Sequence, residues 1–149
     1  MKYFTIEELT KSQTAKRKGI NNQPSLTETK NLFALVNNVL DPLRKAYGKP
    51  IVVTSGFRCY LLNRAVGGAK SSQHTKGQAA DIRSVSDKKA DNKRLFDLIL
   101  ELKLPFDQLI NEYDYDWVHV SFGPLNRRQV LDAVRESGRT VYKPQGGKV

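Results

Sequence analysis

The chain contains two histidines, and each lies a few residues from an acidic residue. His74 precedes Asp81 by seven residues, and Gly77 between them allows the backbone to turn sharply. His119 follows Asp116 by three residues. Two imidazoles and one carboxylate, with a further coordination position open to water, form the ligand set of a catalytic zinc site. The spacing therefore makes His74, Asp81 and His119 candidate ligands of one zinc ion.

The remaining carboxylate, Asp116, is a candidate general base for a water molecule that the metal activates. Alternation along a strand puts Trp117 and His119 on one face, so Asp116 must sit in the bend before that strand to reach the metal. The alternative interpretation is that both histidines are ordinary hydrogen-bonded residues. The chain lacks the His-Glu-x-x-His pattern of the commonest metallopeptidases, so spacing alone leaves both interpretations open.

Two blocks of the sequence resemble the signature of a known family. Residues 72 to 81 fit Ser-x-His-x-x-Gly-x-Ala-x-Asp, and residues 116 to 119 fit Asp-x-x-His. Together they resemble the zinc D-Ala-D-Ala carboxypeptidases and dipeptidases, which include phage L-alanyl-D-glutamate endolysins and share their fold with the hedgehog signalling domain. Residues 55 to 58, Ser-Gly-Phe-Arg, are similar to the Ser-Gly-x-Arg block of that family. The resemblance covers roughly residues 26 to 130.

The resemblance implies a role for each matching residue. It gives Zn²⁺ three ligands, His74, Asp81 and His119. Asp116 would be the catalytic base, and Ser72 would help to bind the substrate. Arg58 would be both catalytic and substrate-binding, because its planar, charged fork suits a developing oxyanion or a substrate carboxylate. Trp117, which is typical of the family before the second histidine, would line the substrate site.

The implied activity is metal-assisted hydrolysis of an amide bond in peptidoglycan stem peptides. The bond would be that of a D-Ala-D-Ala carboxypeptidase or of an L-Ala-D-Glu endopeptidase. Aspartate at position 116 is typical of the carboxypeptidase-like and endolysin-like members, whereas dipeptidases carry glutamate there. The alternative function is a non-catalytic zinc domain that binds a cell-wall peptide or a protein partner, as the hedgehog resemblance permits.

Composition limits the partners of the protein. The 149 residues are the length of one domain, and we expect a monomer. The net charge of +10 favours an anionic partner, and anionic wall polymers fit the implied substrate. A nucleic-acid-binding protein would interleave basic and aromatic residues, whereas here the basic residues cluster at the chain ends. Nucleic acid is therefore not an expected partner.

The distribution of apolar residues predicts where the protein is made and where it acts. The first residues contain no apolar run fit for the core of a signal peptide, and no run of about 18 apolar residues predicts a membrane span. We therefore expect synthesis in the cytoplasm and action at the cell wall. The lack of a recognisable signal peptide also fits a phage or prophage protein that is released at host lysis.

Hydrophobic periodicity indicates which elements hold these residues. Apolar spacing predicts two long amphipathic helices, at about residues 25 to 47 with a kink at Pro42 and at 87 to 102, and a short helix at 60 to 65. Strands are predicted at residues 51 to 54, 106 to 111 and 117 to 122, the last two paired as a hairpin.

The predicted fold class is α+β, with a small, mainly antiparallel sheet packed against helices, as in the hedgehog domain and the D-Ala-D-Ala peptidases. Residues 1 to 136 are predicted to form a single zinc peptidase domain. Residues 137 to 149 have little apolar content and no period, so a flexible basic tail is predicted there.

Overall fold

A computed structural model describes residues 1–145 of the chain. Its strands form one six-stranded sheet in the spatial order β1-β2-β4-β3-β5-β6. The strands are β1 (Ile51–Ser55), β2 (Ala79–Ser84), β3 (Gln108–Glu112), β4 (Trp117–Ser121), β5 (Gln129–Glu136) and β6 (Arg139–Pro144). Within these residues β3 and β5 are parallel, and the other neighbouring strands are antiparallel. The predicted α+β class with a mainly antiparallel sheet is confirmed.

The helices are α1 (Ile6–Thr10), α2 (Gln13–Lys18), α3 (Leu26–Leu35), α4 (Asp41–Tyr47), α5 (Tyr60–Ala65) and α6 (Lys89–Glu101). Helices α1 and α3 each begin with a capping box, in which Thr5 pairs with Glu8 and Ser25 pairs with Glu28. Within residues 1–145, none of the helices combines the length and the apolar character that crossing a bilayer requires.

The predicted long helix consists of α3, a π-helical turn (Val36–Leu40) and α4. Pro42 lies in the first turn of α4, where a missing backbone donor costs little. The N–H of Asp41 donates to the carbonyl of Val36, five residues back. The interruption expected at Pro42 therefore takes the form of a wider turn just before the proline.

Strand alternation divides the sheet into a core face and an open face. Ile82, Val118 and Val120 are fully buried and pack in one core with residues of α3, α4 and α6, including Leu95 and Phe96. The side chains that alternate with them on β2 and β4 point away from the helices. The strands that carry the candidate zinc ligands thus anchor in the core through one set of residues and present the other set to the opposite face.

The prediction of a flexible tail over residues 137 to 149 is wrong for residues 137 to 145. Strand β6 pairs with β5 from Leu131 to Glu136. Ser137 and Gly138, which join the two strands, both have positive φ angles, as a two-residue hairpin turn requires. Strand β6 lies at the sheet edge and is mostly exposed, so its sequence lacks an apolar alternation. Residues 146 to 149 of the predicted tail lie outside the described residues.

Candidate metal centre

The three predicted ligands lie together at the open face of the sheet. Asp81 on β2 is directly opposite His119 on β4. The Oδ1 atom of Asp81 is 3.0 Å from Nδ1 of His119 and 3.4 Å from Nε2 of His74. One nitrogen or oxygen atom from each residue lies within 4.8 Å of the other two. His74 comes from a short 3₁₀ turn, Gln73–Lys76, that precedes β2.

The backbone around Gly56 orients the ring of His74, which is 3% exposed. The Nδ1 atom of His74 is 2.7 Å from the carbonyl oxygen of Gly56. Because a carbonyl can only accept, Nδ1 carries a proton, and Nε2, which faces Asp81, is the ring nitrogen that can coordinate a metal. A Cβ atom at Gly56 would lie 2.2 Å from the carbonyl oxygen of Leu9, so this close approach requires glycine. The Ser-Gly-Phe-Arg block thus acts partly through its backbone.

The donor set fits a zinc ion. Tetrahedral ligands at ordinary zinc distances lie about 3.3 Å apart, close to the two spacings measured from Asp81. Burial opposes ionisation of Asp81, but His74 and His119 outweigh it and lower the pKa of this carboxyl below its usual range. Two imidazoles with a single carboxylate suit zinc, whereas magnesium and calcium prefer oxygen ligands.

A carboxyl group that the sequence analysis missed, Glu112, faces this group. Glu112 is opposite Trp117 in the β3–β4 pair, and Ile110, two residues before it, is opposite His119. Glu112 therefore shares the open face with His119 and Asp81. Burial raises the pKa of Glu112 to about 7; the charge of His119 opposes this rise and that of Asp81 adds to it. A carboxyl with such a pKa can take up and release a proton near neutral pH.

Asp116 sits in the bend before β4, as its predicted role requires, but its side chain does not line the cleft that holds the predicted ligands. The Asp116 carboxylate accepts a hydrogen bond of 2.7 Å from Nζ of Lys89, the first residue of α6. Asn92, also on α6, donates to the carbonyl oxygen of Asp116. Helix α6 packs on the core face of the sheet, whereas Asp81 and His119 occupy the open face. The half-exposed Asp116 side chain is thus tied to the helix side of the turn.

The predicted ligands line a cleft of about 1190 Å³ together with Arg58, Ser72, Trp117 and Glu112. The Nε atom of Arg58 is buried and has no hydrogen-bond partner among the described residues. Burial lowers the pKa of Arg58, and nearby Asp81 partly offsets this effect. The hydroxyl of Ser72 accepts a hydrogen bond from the N–H of His74, so it also caps the turn that holds the histidine. The cleft therefore holds every predicted site residue except Asp116.

Two imidazoles and a carboxylate in an open cleft, on an α+β scaffold, define a candidate metal-dependent hydrolase. Residues 2–121 match the family model described as Peptidase M15, and the chain belongs to this family. The match confirms the resemblance to the zinc D-Ala-D-Ala carboxypeptidase-like peptidases and makes the protein a metallopeptidase. The matched residues include Arg58, Glu112 and the candidate metal-binding group, which consists of His74, Asp81 and His119. No curated protein matches the sequence.

Proposed function

We propose that the protein is a zinc-dependent peptidase that hydrolyses an amide bond in peptidoglycan stem peptides. The bond is that of a D-Ala-D-Ala carboxypeptidase or of an L-Ala-D-Glu endopeptidase. One observation carries the proposal: a zinc-type ligand set and a separate buried carboxyl group, Glu112, share a cleft with Arg58, whose Nε has no hydrogen-bond partner within residues 1–145. Binding of a metal requires only the ligands, whereas hydrolysis also requires a base and a cation near the reacting carbonyl.

In this proposal His74, Asp81 and His119 hold the zinc ion. When bound, zinc supplies a Lewis acid that acidifies water and polarises the scissile carbonyl. The Glu112 carboxylate accepts the proton of the attacking water and returns it to the amine that leaves. The guanidinium of Arg58 offsets negative charge on the carbonyl oxygen or binds a substrate carboxylate. Ser72 and Trp117 would bind the substrate along the cleft wall.

Glu112 replaces Asp116 as the proposed base for two reasons. Glu112 lines the cleft, and the pKa of about 7 is suited to proton transfer at neutral pH. Asp116 is engaged by Lys89 on the other side of the sheet. The aspartate in the Asp-x-x-His pattern then has a structural role, in which it ties the β3–β4 turn to helix α6.

Digestion of purified peptidoglycan by the zinc-loaded protein tests the proposed activity. Mass spectrometry of the released peptides should show new termini at one kind of bond, and this bond identifies the carboxypeptidase or the endopeptidase type. The zinc-free protein is the control and should release no peptide. Binding of peptidoglycan without release of any peptide would instead favour the non-catalytic zinc domain.

The proposed substrate also determines where the protein acts. Stem peptides are part of the cell wall, so the peptidase would act there after its synthesis in the cytoplasm. A phage or prophage origin remains a prediction. The excess of basic residues supports the proposed location, because anionic wall polymers attract a protein with a net charge of +10.

A further inference from the structure

The order of the strands spreads the charged residues of the cleft across the sheet. Arg58 follows the edge strand β1. Asp81 and His119 lie on β2 and β4, and His74 lies on the turn before β2. Glu112 ends the next strand, β3, and Arg135 lies near the end of β5. The cleft therefore has an arginine on each side of the metal-binding group. Arg58 belongs to the proposed catalytic site, whereas Arg135 has no assigned role.

An apolar floor connects Glu112 with the strand that carries Arg135. Ile110, Leu131 and Ala133 form a small buried cluster that is separate from the main core. In the parallel β3–β5 pair, Ile110 is opposite Leu131 and Glu112 is opposite Ala133. Alternation places Arg135 on the same face, one step beyond Ala133. A bound peptide that passes Glu112 can therefore bury apolar groups on this floor before it reaches Arg135.

Aromatic side chains hold Arg135 in place. The guanidinium carbon of Arg135 lies 5.4 Å from the centroid of the Tyr113 ring. The Tyr113 ring packs against Trp117 at a centroid distance of 5.4 Å, and its hydroxyl is hydrogen-bonded to Thr140 on β6. Stacking on an aromatic face orients a guanidinium and leaves its N–H groups free to donate. Residues 113, 117 and 135 all line the cleft.

The charges of the cleft are not balanced by its own carboxylates. Arg127 is neutralised by Asp107, which accepts hydrogen bonds of 2.8 and 2.9 Å from its guanidinium. Within residues 1–145, Arg58, Lys76 and Arg135 line the cleft but form no ion pair. The carboxylate of Asp81 is already engaged by the two histidines. The cleft therefore attracts negative charge.

We propose that Arg135, stacked on Tyr113, binds a carboxylate of the substrate on the Glu112 side of the metal centre and so selects acidic peptides. This inference rests on the proposed function and names the substrate class of the same cleft. The carboxylate belongs either to an acidic side chain or to a free C-terminus, since the arginine fork binds both in the same way.

The test compares Arg135→Gln with Arg139→Gln, the control. Arg139 is exposed on the same hairpin but alternates away from Thr140 and Tyr142, which share the face of Arg135. The substrates are purified peptidoglycan and the same material after its carboxylates are converted to amides. The zinc-loaded wild type and Arg139→Gln should cleave the carboxylate form roughly tenfold faster, as a charge-assisted hydrogen bond predicts. Arg135→Gln should lose most of this preference.

An Arg135→Gln protein that keeps the wild-type preference for the carboxylate form would overturn the inference. Arg135→Lys keeps the charge without the fork, so an intermediate preference is expected. If thermal unfolding shows that Arg135→Gln does not fold, Arg135→Lys alone provides the test. A wild-type ratio of the two cleavage rates in Arg135→Lys would then overturn the inference that the planar guanidinium binds the carboxylate. Two soluble stem peptides, one with only a side-chain carboxylate and one with only a C-terminal carboxylate, distinguish the two sources.

Affinity measurements separate this inference from the proposed activity. Zinc-loaded Glu112→Gln, with and without Arg135→Gln, is titrated calorimetrically with a soluble stem peptide and its amidated form. The inference requires tighter binding of the carboxylate form that is lost with Arg135. Failure of the wild type to cleave either form would refute the hydrolytic proposal, and the affinity ratio would still test the subsite. Equal affinities for the two forms with Arg135 present would refute the subsite.

Discussion

His74 is the most enclosed of the three proposed zinc ligands, and its ring is fixed by the Gly56 carbonyl. We predict that His74→Ala loses most of the bound zinc. A catalytic zinc site needs three protein ligands, and only Asp81 and His119 would remain. Metal content after dialysis, measured by plasma mass spectrometry, checks this. Lys76→Ala changes an exposed residue of the same turn and should retain zinc. Stoichiometric zinc in His74→Ala would contradict the assigned ligand set.

Glu112 and Asp116 lie at the two ends of the β3–β4 turn, and each is a candidate for the catalytic base. Substitution of each acid by its amide therefore gives a matched pair of variants. Glu112→Gln should lower kcat by at least about 100-fold, because it removes the proposed base and preserves the shape of the side chain. Asp116→Asn should stay within about threefold of the wild type, because an exposed ion pair contributes little. Steady-state hydrolysis of a soluble stem peptide measures both. The reverse order of effects would return the role of base to Asp116.

The pH profile provides a second measurement on Glu112. The base must be ionised, so the rate should rise with pH through the pKa of Glu112. Burial raises that pKa to about 7 in the metal-free chain, and a bound dication would lower it from this value. The rising limb of kcat is therefore expected at or below pH 7. In Glu112→Gln the residual rate should lack this limb, and a limb that survives the substitution would assign it to another group.

At the residue level, the sequence predicted His74, Asp81 and His119 as zinc ligands, which the structure brings together, but it did not single out Glu112, the proposed base. Histidine and aspartate are common zinc ligands, and the chain contains two histidines, so few combinations of ligands had to be considered. Glu112 sits at the boundary of a strand and an acidic turn, where strand ends are uncertain by a residue or two. Its period of two from Ile110, together with pairing to Trp117 in the hairpin, would have placed it on the ligand face.

At the scale of elements, Asp107 joins the turn before His74 to the loop that leads into β5. The Oδ2 atom of Asp107 accepts a hydrogen bond of 3.0 Å from Gln73, the residue before His74. Both carboxylate oxygens also accept from the guanidinium of Arg127. The carboxylate of Asp107 is shielded from water, whereas the side chain of Arg127 is half-exposed. The position of the histidine turn therefore depends on a carboxylate outside the sequence motifs.

We predict that this carboxylate makes the fold sensitive to acid. The hydrogen bonds from Arg127 lower the pKa of Asp107 from 3.8 to about 2. A lowered pKa means that the stabilisation is complete above pH 3.8 and is lost as the pH falls toward 2, by on the order of 2 kcal/mol. Urea unfolding between pH 6 and pH 2 measures this. In Asp107→Asn the free energy of unfolding should be lower at pH 6 and change less with pH.

Asp97→Asn is the control for this prediction, because Asp97 forms an exposed pair with Lys93 on α6. This variant should keep the pH dependence of the wild type. An unchanged dependence in Asp107→Asn would mean that other carboxyl groups account for the acid sensitivity.

The success of the element predictions follows the strength of the local signals in the sequence, namely apolar periodicity and flanking turn residues. Helix α5 and strand β1 were predicted almost to the residue, since turn residues flank both. Strands β5 and β6 were missed. The Asp132 side chain in β5 is hydrogen-bonded to Asn111 and Gln145, and β6 is exposed, so neither strand has the alternation of a strand with one buried face. Strand β5 is placed by its parallel pairing with β3, and β6 by its antiparallel pairing with β5.

At the scale of the whole molecule, the net charge of +10 should dominate association with the wall. We predict that binding to wall fragments with anionic polymers weakens roughly tenfold between 50 and 500 mM salt, because salt screens exposed charges. Co-sedimentation with wall fragments measures the bound fraction. Fragments stripped of anionic polymers are the control and should show weaker binding with a smaller salt dependence. Binding that is independent of salt would exclude an electrostatic attraction.

The β5–β6 hairpin carries the residue proposed to select the substrate, and other strands carry the residues proposed to catalyse the reaction. The metal-binding group and Glu112 lie within residues 2–121, which match the family, whereas Arg135 lies on a hairpin beyond them, at one edge of the sheet. The β2–β4 and β3–β4 pairings involve no residue of this hairpin. Selectivity can therefore evolve as an exchangeable module while the reaction stays constant. Grafting hairpins of different charge onto this sheet is a direct route to peptidases with new substrate preferences.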